Sequence, residues 1–98
     1  MELKFEWDAA KAKSNFKAHG VSFESAKRVF DDAFAIARVD DREHYGEERF
    51  AIIGMAGQAL LFVAYTEREG RIRIISARKA TKHEQNRYFS ENSSADVQ

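Results

Sequence analysis

The sequence predicts an α+β domain: one antiparallel β-sheet packed against helices, in the order β-α-α-β-β-β-β-α. Three observations predict it. Helically spaced apolar residues, bounded by capping residues, occupy the segment from Asp8 to Asp32. Four strand-like runs follow between Phe34 and Ala77, with glycine-bearing gaps between the last three. A capping pattern at Thr81 then opens a final helix. Helices before and after a run of strands are the mark of this class.

Leu3-Lys4-Phe5-Glu6-Trp7 alternates and reads as a short half-buried strand. Asp8 suits an N-cap, because its carboxylate can accept the free N–H groups of a first turn. The helix it opens is expected to run to about Ala18 and to bury Ala9, Ala12 and Phe16. Gly20 fits the left-handed position past its end. Ser22 caps a second helix with Phe23, Ala26 and Phe30 on one stripe, ended by Asp31-Asp32. Phe34 to Val39 reads as a strand, and Asp40 to Glu48 as a polar loop holding His44, Tyr45 and Gly46. Arg49–Met55, Ala59–Thr66 and Arg71–Ala77 form a meander, joined through Ala56-Gly57-Gln58 and Glu67–Gly70. Thr81-Lys82-His83-Glu84 is a capping-box pattern for a helix that includes Tyr88 and Phe89. Ser90 to Gln98 is polar and expected to fray, leaving residues 1–90 as one domain and 91–98 as a tail.

The 98 residues include 16 Lys or Arg and 16 Asp or Glu, so the formal net charge is zero. Without cysteine there is no disulfide framework, thiolate metal site or cysteine nucleophile. The N-terminus is too charged for a signal peptide. No apolar run approaches the ~20 residues of a membrane span. A cytoplasmic protein that does not engage membranes is expected. The zero sum hides an uneven distribution. Residues 1–48 carry 8 basic and 11 acidic side chains, and residues 49–98 carry 8 and 5. Within residues 68–87 the count is 7 against 2, a focused positive field.

That field centres on Arg71-Ile72-Arg73-Ile74-Ile75-Ser76-Ala77-Arg78-Lys79. In a strand, Arg71 and Arg73 share one face while Ile72 and Ile74 share the other. Arg68 lies in the preceding turn, and Arg78, Lys79 and Lys82 lie where the strand feeds the last helix. Grouped guanidiniums suit phosphate recognition, being planar donors that never deprotonate. A solvated edge strand that uses arginine against aggregation would carry the same letters. Tyr65 and Tyr88 either pack in the core or offer rings to a base. His19, at the end of the first helix, is either a cap on the helix dipole or a proton shuttle. Asp40-Asp41 with His44, Glu47 and Glu48 has the composition of a hard-ligand metal cluster. A turn-rich loop produces the same composition, and no metal or other cofactor is expected.

Several motifs occur in order: Phe5-Glu6-Trp7-Asp8, Lys11, Asn15, His19-Gly20-Val21-Ser22-Phe23-Glu24, Phe30-Asp31-Asp32, Gly46-Glu47-Glu48-Arg49-Phe50 and Arg73-Ile74-Ile75-Ser76-Ala77-Arg78-Lys79-Ala80. Together they resemble the BrnT family of bacterial type II toxins, over nearly the whole chain to about Tyr88. The resemblance implies a RelE-like ribonuclease fold. It also implies a BrnA-type ribbon-helix-helix antitoxin, with operator DNA engaged only through the toxin–antitoxin complex. Family residues linked to toxicity are chiefly basic ones on the sheet, which map onto Arg68, Arg73 and Arg78. Ala9 and Ala33 stand where family members often carry proline, a change that touches local stability, since proline suits but is not required at a first helical position.

RNA carries its own nucleophile, the 2′-hydroxyl, so its cleavage needs neither a metal nor a covalent intermediate. Under this reading Arg73 and Arg78 clamp the scissile phosphate, while Arg68 and Lys79 hold flanking ones. Arg71, Lys82 and Tyr88 add RNA contacts, and His19 or Glu67 serves as base or acid. Two other readings remain: a non-catalytic module docking nucleic acid or an acidic protein, and a degenerate toxin kept as antitoxin partner and co-repressor.

Overall fold

The computed structural model describes residues 2–40 and 48–94. The elements are β1 (Lys4–Glu6), α1 (Ala9–His19), α2 (Phe23–Ala26), a 3₁₀ turn (Lys27–Asp31), β2 (Ile36–Asp40), β3 (Arg49–Ala56), β4 (Ala59–Arg68), β5 (Arg71–Lys79) and α3 (Lys82–Ser94). The α+β class and the element order match expectation. The loop over residues 41–47, with His44, Tyr45 and most of the suspected acidic cluster, lies outside the described residues. No helix among the described residues is long and apolar enough to cross a membrane.

The five strands lie in the order β1-β5-β4-β3-β2. The meander is antiparallel throughout, but β1 joins β5 in parallel, with Glu6 opposite Arg73, so the sheet is mixed. The helical segments and three strands lie between β1 and β5 in sequence, far more than the dozen or so residues that a parallel pair needs to be joined.

Local signals account for most boundaries. Asp8 Oδ1 accepts from the N–H groups of Ala10 at 2.8 Å and Lys11 at 3.1 Å. Gly20 closes α1 in the left-handed region at φ 71°. Ser22 Oγ accepts from Ser25 N–H at 3.0 Å. The capping box at α3 is reciprocal: Glu84 N–H donates to Thr81 Oγ1 at 3.2 Å, and Thr81 N–H to Glu84 Oε1 at 2.9 Å. Glu69 (φ 53°) and Gly70 (φ 78°) form the two-residue turn between β4 and β5, with both φ values positive as a twist-matched hairpin requires.

Each sheet face has its own cover. On one face, Phe23, Ala26 and Val29 from α2 and the 3₁₀ turn pack with Ile52, Leu61, Val63, Tyr65, Ile72, Ile74 and Ala77. There, Phe5, Phe30, Tyr65 and Phe50 form successive ring contacts with centroids 5.0–5.4 Å apart. The 3₁₀ turn approaches β3 so closely that a Cβ on Gly54 would lie 2.9 Å from Val29 Cγ1. On the other face, Tyr88 of α3 packs with Ile53, Phe62 and Ala64.

Two expectations about helices are corrected. Ala9 is exposed and Phe16 is 56% exposed; the one buried residue of α1 is Asn15. Beyond Arg73, β5 has left β1 behind, and the Asn15 amide serves that open stretch. Its Nδ2 donates to Ala77 O at 2.8 Å, and Ala77 N–H donates to its Oδ1 at 3.1 Å. Backbone pairing, not apolar periodicity, decides which side of α1 faces inward. At the other end of the chain, α3 continues past Phe89 to Ser94. Asn92 Nδ2 donates to Tyr88 O and Phe34 O, and Arg38 reaches Glu91 at 2.6 Å, so the last turn is anchored.

Candidate nucleic-acid interface

Residues paired across a sheet project to the same face. The register therefore places one polar row across all five strands on the α3 side: Glu6, Arg73, Thr66, Arg49 and Asp40. A second row beside it holds Lys4, Arg71 and Arg68. Within these two rows five cations thus stand with two carboxylates. On the next rows Ala64 and Ala51, then Phe62 and Ile53, lead into the part covered by α3. The aromatic contacts on the opposite face lie behind the polar rows and give them a rigid backing.

Glu6 is the hub of the arginine end. Its Oε2 lies 3.1 Å from Arg73 Nη1 and its Oε1 3.7 Å from Arg71 Nη1. One carboxylate between two guanidiniums occupies the kind of position that a phosphate would take. Asp8, at the end of the same N-terminal segment, is held below its ordinary value, first by the Lys11 and Ala10 N–H groups, with smaller help from Lys11 and Arg73 charge. Thr66, between Arg73 and Arg49 in the row, is 2% exposed, and its hydroxyl has no hydrogen-bond partner among the described residues.

Of the expected site residues, Arg68, Arg71 and Arg73 come together on this face. Arg78 shares it but is engaged elsewhere. Its two terminal nitrogens meet both Glu84 oxygens at 2.9 and 3.0 Å, and its guanidinium lies 4.2 Å from the Phe62 ring centroid. Burial alone would raise the Glu84 carboxyl, but Arg78 and the Thr81 N–H outweigh it and hold it below its usual value. Arg78 thereby fastens the start of α3 to β5. Its place on this face depends on a bulge. The register shifts between Ala64 and Tyr65, leaving Ile75 without an opposite residue, so Ser76 and Arg78 rejoin the side of Arg71 and Arg73.

The other candidates lie apart. Glu67 pairs with Ile72, and its charge, secondary to burial, helps raise the Tyr65 phenol on the helix-covered face. His19 ends α1, in the layer on that same face, so the sheet separates both groups from the arginine rows. Lys79 pairs with Leu61, also on that face. Lys82 is exposed in the first turn of α3. Tyr88 is 5% exposed and its hydroxyl donates to Asp32 Oδ2 at 2.7 Å, which leaves no ring face or hydroxyl for a base. Sequence reading missed Glu6 and Thr66. The alternation of β1 marked Glu6 as outward-facing, but only the parallel register joins it to Arg73.

No group of three or more His, Cys, Asp or Glu placed to hold a metal occurs among the described residues. The family model described as "Ribonuclease toxin, BrnT, of type II toxin-antitoxin system" matches residues 7–84. No curated protein matches the chain. The matched span runs from Trp7, just after Glu6, through both hairpins that build the arginine rows, to the capping box of α3; the chain belongs to the BrnT family of ribonuclease toxins of type II toxin–antitoxin systems.

Proposed function

We propose that this protein is a RelE-like endoribonuclease that cuts RNA without a metal, on the open rows of its sheet. The observation that carries the reading is the gathering of Arg68, Arg71 and Arg73 on one face, with the Glu6 carboxylate set against Arg71 and Arg73. A scissile phosphate replaces Glu6 between Arg71 and Arg73, whose charges stabilise the pentacovalent phosphorane, the largest single contribution expected for such a step. Arg68 and Lys4 hold a flanking phosphate. Glu6, displaced but still beside the phosphate, takes the proton of the 2′-hydroxyl. The 2′-oxygen bonds to phosphorus and the bond to the 5′-oxygen breaks. The products are a 2′,3′-cyclic phosphate and a 5′-hydroxyl, which takes its proton from solvent. Arg78 serves by holding α3 and not by touching the phosphate.

Family membership brings RNA as substrate and an antitoxin as partner. The antitoxin is proposed to be a BrnA-type ribbon-helix-helix protein that covers the arginine face and carries the complex to operator DNA. Expression of the chain without that partner is expected to arrest growth, and Arg71→Ala with Arg73→Ala to relieve the arrest at equal protein level. Persistent arrest in the double variant would remove these arginines from the mechanism. Salt-sensitive RNA binding with the RNA left intact would favour the non-catalytic module instead.

A further inference from the structure

Among the polar groups of the sheet, Thr66 is the least explained. It sits at the centre of the five-strand row, with Arg73 on one side and Arg49 on the other. It is 2% exposed, and its hydroxyl meets no donor or acceptor among the described residues. A buried hydroxyl without a partner destabilises a fold, whereas valine has nearly the same shape, an equal liking for strands and no hydroxyl to satisfy. Folding alone therefore gives no reason for threonine here. A ligand does.

Resting on the ribonuclease reading above, we infer that Thr66 is a further substrate contact: its hydroxyl donates to a non-bridging oxygen of the RNA phosphodiester held by Arg73. The ligand class follows from the neighbours. Two guanidiniums flank the hydroxyl donor on a face whose two polar rows carry five cations against two carboxylates, and a phosphodiester offers acceptor oxygens with no proton to lose. The hydroxyl is screened from solvent in the free protein, so the contact forms only when the side chains above it move aside as the phosphodiester binds. Arg73 stands next to Thr66 in the row, and its present partner, Glu6, is the group the phosphate displaces. The hydroxyl thus stays unsatisfied until substrate arrives, and its hydrogen bond counts toward binding and cleavage.

The test separates this role from a structural one, because the two predict opposite effects on stability. Thr66→Val is expected to unfold at a urea concentration equal to or above that of the wild type. Its kcat/KM for RNA is expected to fall roughly ten- to a hundredfold. Thr66→Ser, which restores a hydroxyl, is expected to recover most of that loss. Wild-type cleavage by Thr66→Val would overturn the inference. So would a lowered unfolding midpoint in that variant, which would show that the hydroxyl has a structural partner. If the wild type cuts no RNA, the ribonuclease reading fails by itself, and binding of a 2′-O-methyl RNA oligonucleotide, uncleavable but carrying the same phosphates, decides the matter. Weaker binding by Thr66→Val upholds the contact; equal binding overturns it.

Discussion

The Tyr88 hydroxyl donates to Asp32 Oδ2 at 2.7 Å across 56 residues of sequence. That bond ties α3, on one face of the sheet, to the end of the 3₁₀ layer on the other. It passes the end of β3 where Met55 N–H donates to the same Asp32 oxygen at 2.8 Å. Burial alone would raise the Asp32 carboxyl, but the Met55 N–H, the Tyr88 hydroxyl and the Phe34 N–H outweigh it and hold it below its ordinary value. Tyr88→Phe keeps the packing and removes the clasp, so the expected loss is about 1–2 kcal/mol in urea unfolding.

The same pair sets a pH dependence at both ends of the scale. Burial first, and then Asp32, push the Tyr88 phenol up to about 12. Because the folded value is raised, this contribution is intact below the unfolded value of about 10 and disappears as pH climbs toward 12. Asp32 has the opposite sign: its contribution is intact above the unfolded carboxyl value of about 4 and disappears as pH falls through the lowered one. Tyr88→Phe is expected to flatten the alkaline limb of a stability–pH curve. An unchanged limb would show that another group sets it.

Asn15→Ala leaves the N–H and C=O of Ala77 inside the protein with no strand to take them. The expected loss is about 2–4 kcal/mol, well above that of an ordinary helix surface position. Phe16→Ala, one residue along the same helix but 56% exposed, should change the midpoint little. Denaturant unfolding of the two variants gives the comparison.

Glu84→Gln breaks a bidentate pair and weakens a capping box in one change. It is expected to lower stability by about 1–3 kcal/mol. Arg78→Ala should lower stability in the same way, and any loss of cleavage in it should follow the fraction unfolded. Cleavage that falls at full folding would place Arg78 on the substrate after all.

What the sequence shows, and what it hides, divides along physical lines. Asp8, Gly20, Ser22, Thr81 and Glu84 act on backbone groups within a few residues of themselves, so their roles are readable from spacing. The arginine density of β5 was equally plain. Asn15 and Glu6 act on residues 62 and 67 positions away, and no local period encodes that. Phe16 misled because an amphipathic spacing says that one face is buried without saying what the sheet edge needs. The bulge at Ile75 broke the simple alternation that would otherwise put Arg78 opposite Arg73. His19 and Glu67 have suitable chemistry but stand on the wrong side of the sheet, which only the register reveals.

The central claim is that the arginine face cuts RNA by the substrate's own hydroxyl. It is tested most directly by incubating purified protein and a labelled RNA oligonucleotide in excess EDTA, with analysis of the ends produced. Cleavage that persists with chelator, leaves 2′,3′-cyclic phosphate and is abolished by Arg71→Ala with Arg73→Ala is the result expected here. Cleavage lost with chelator, or unchanged in the folded double variant, would contradict it.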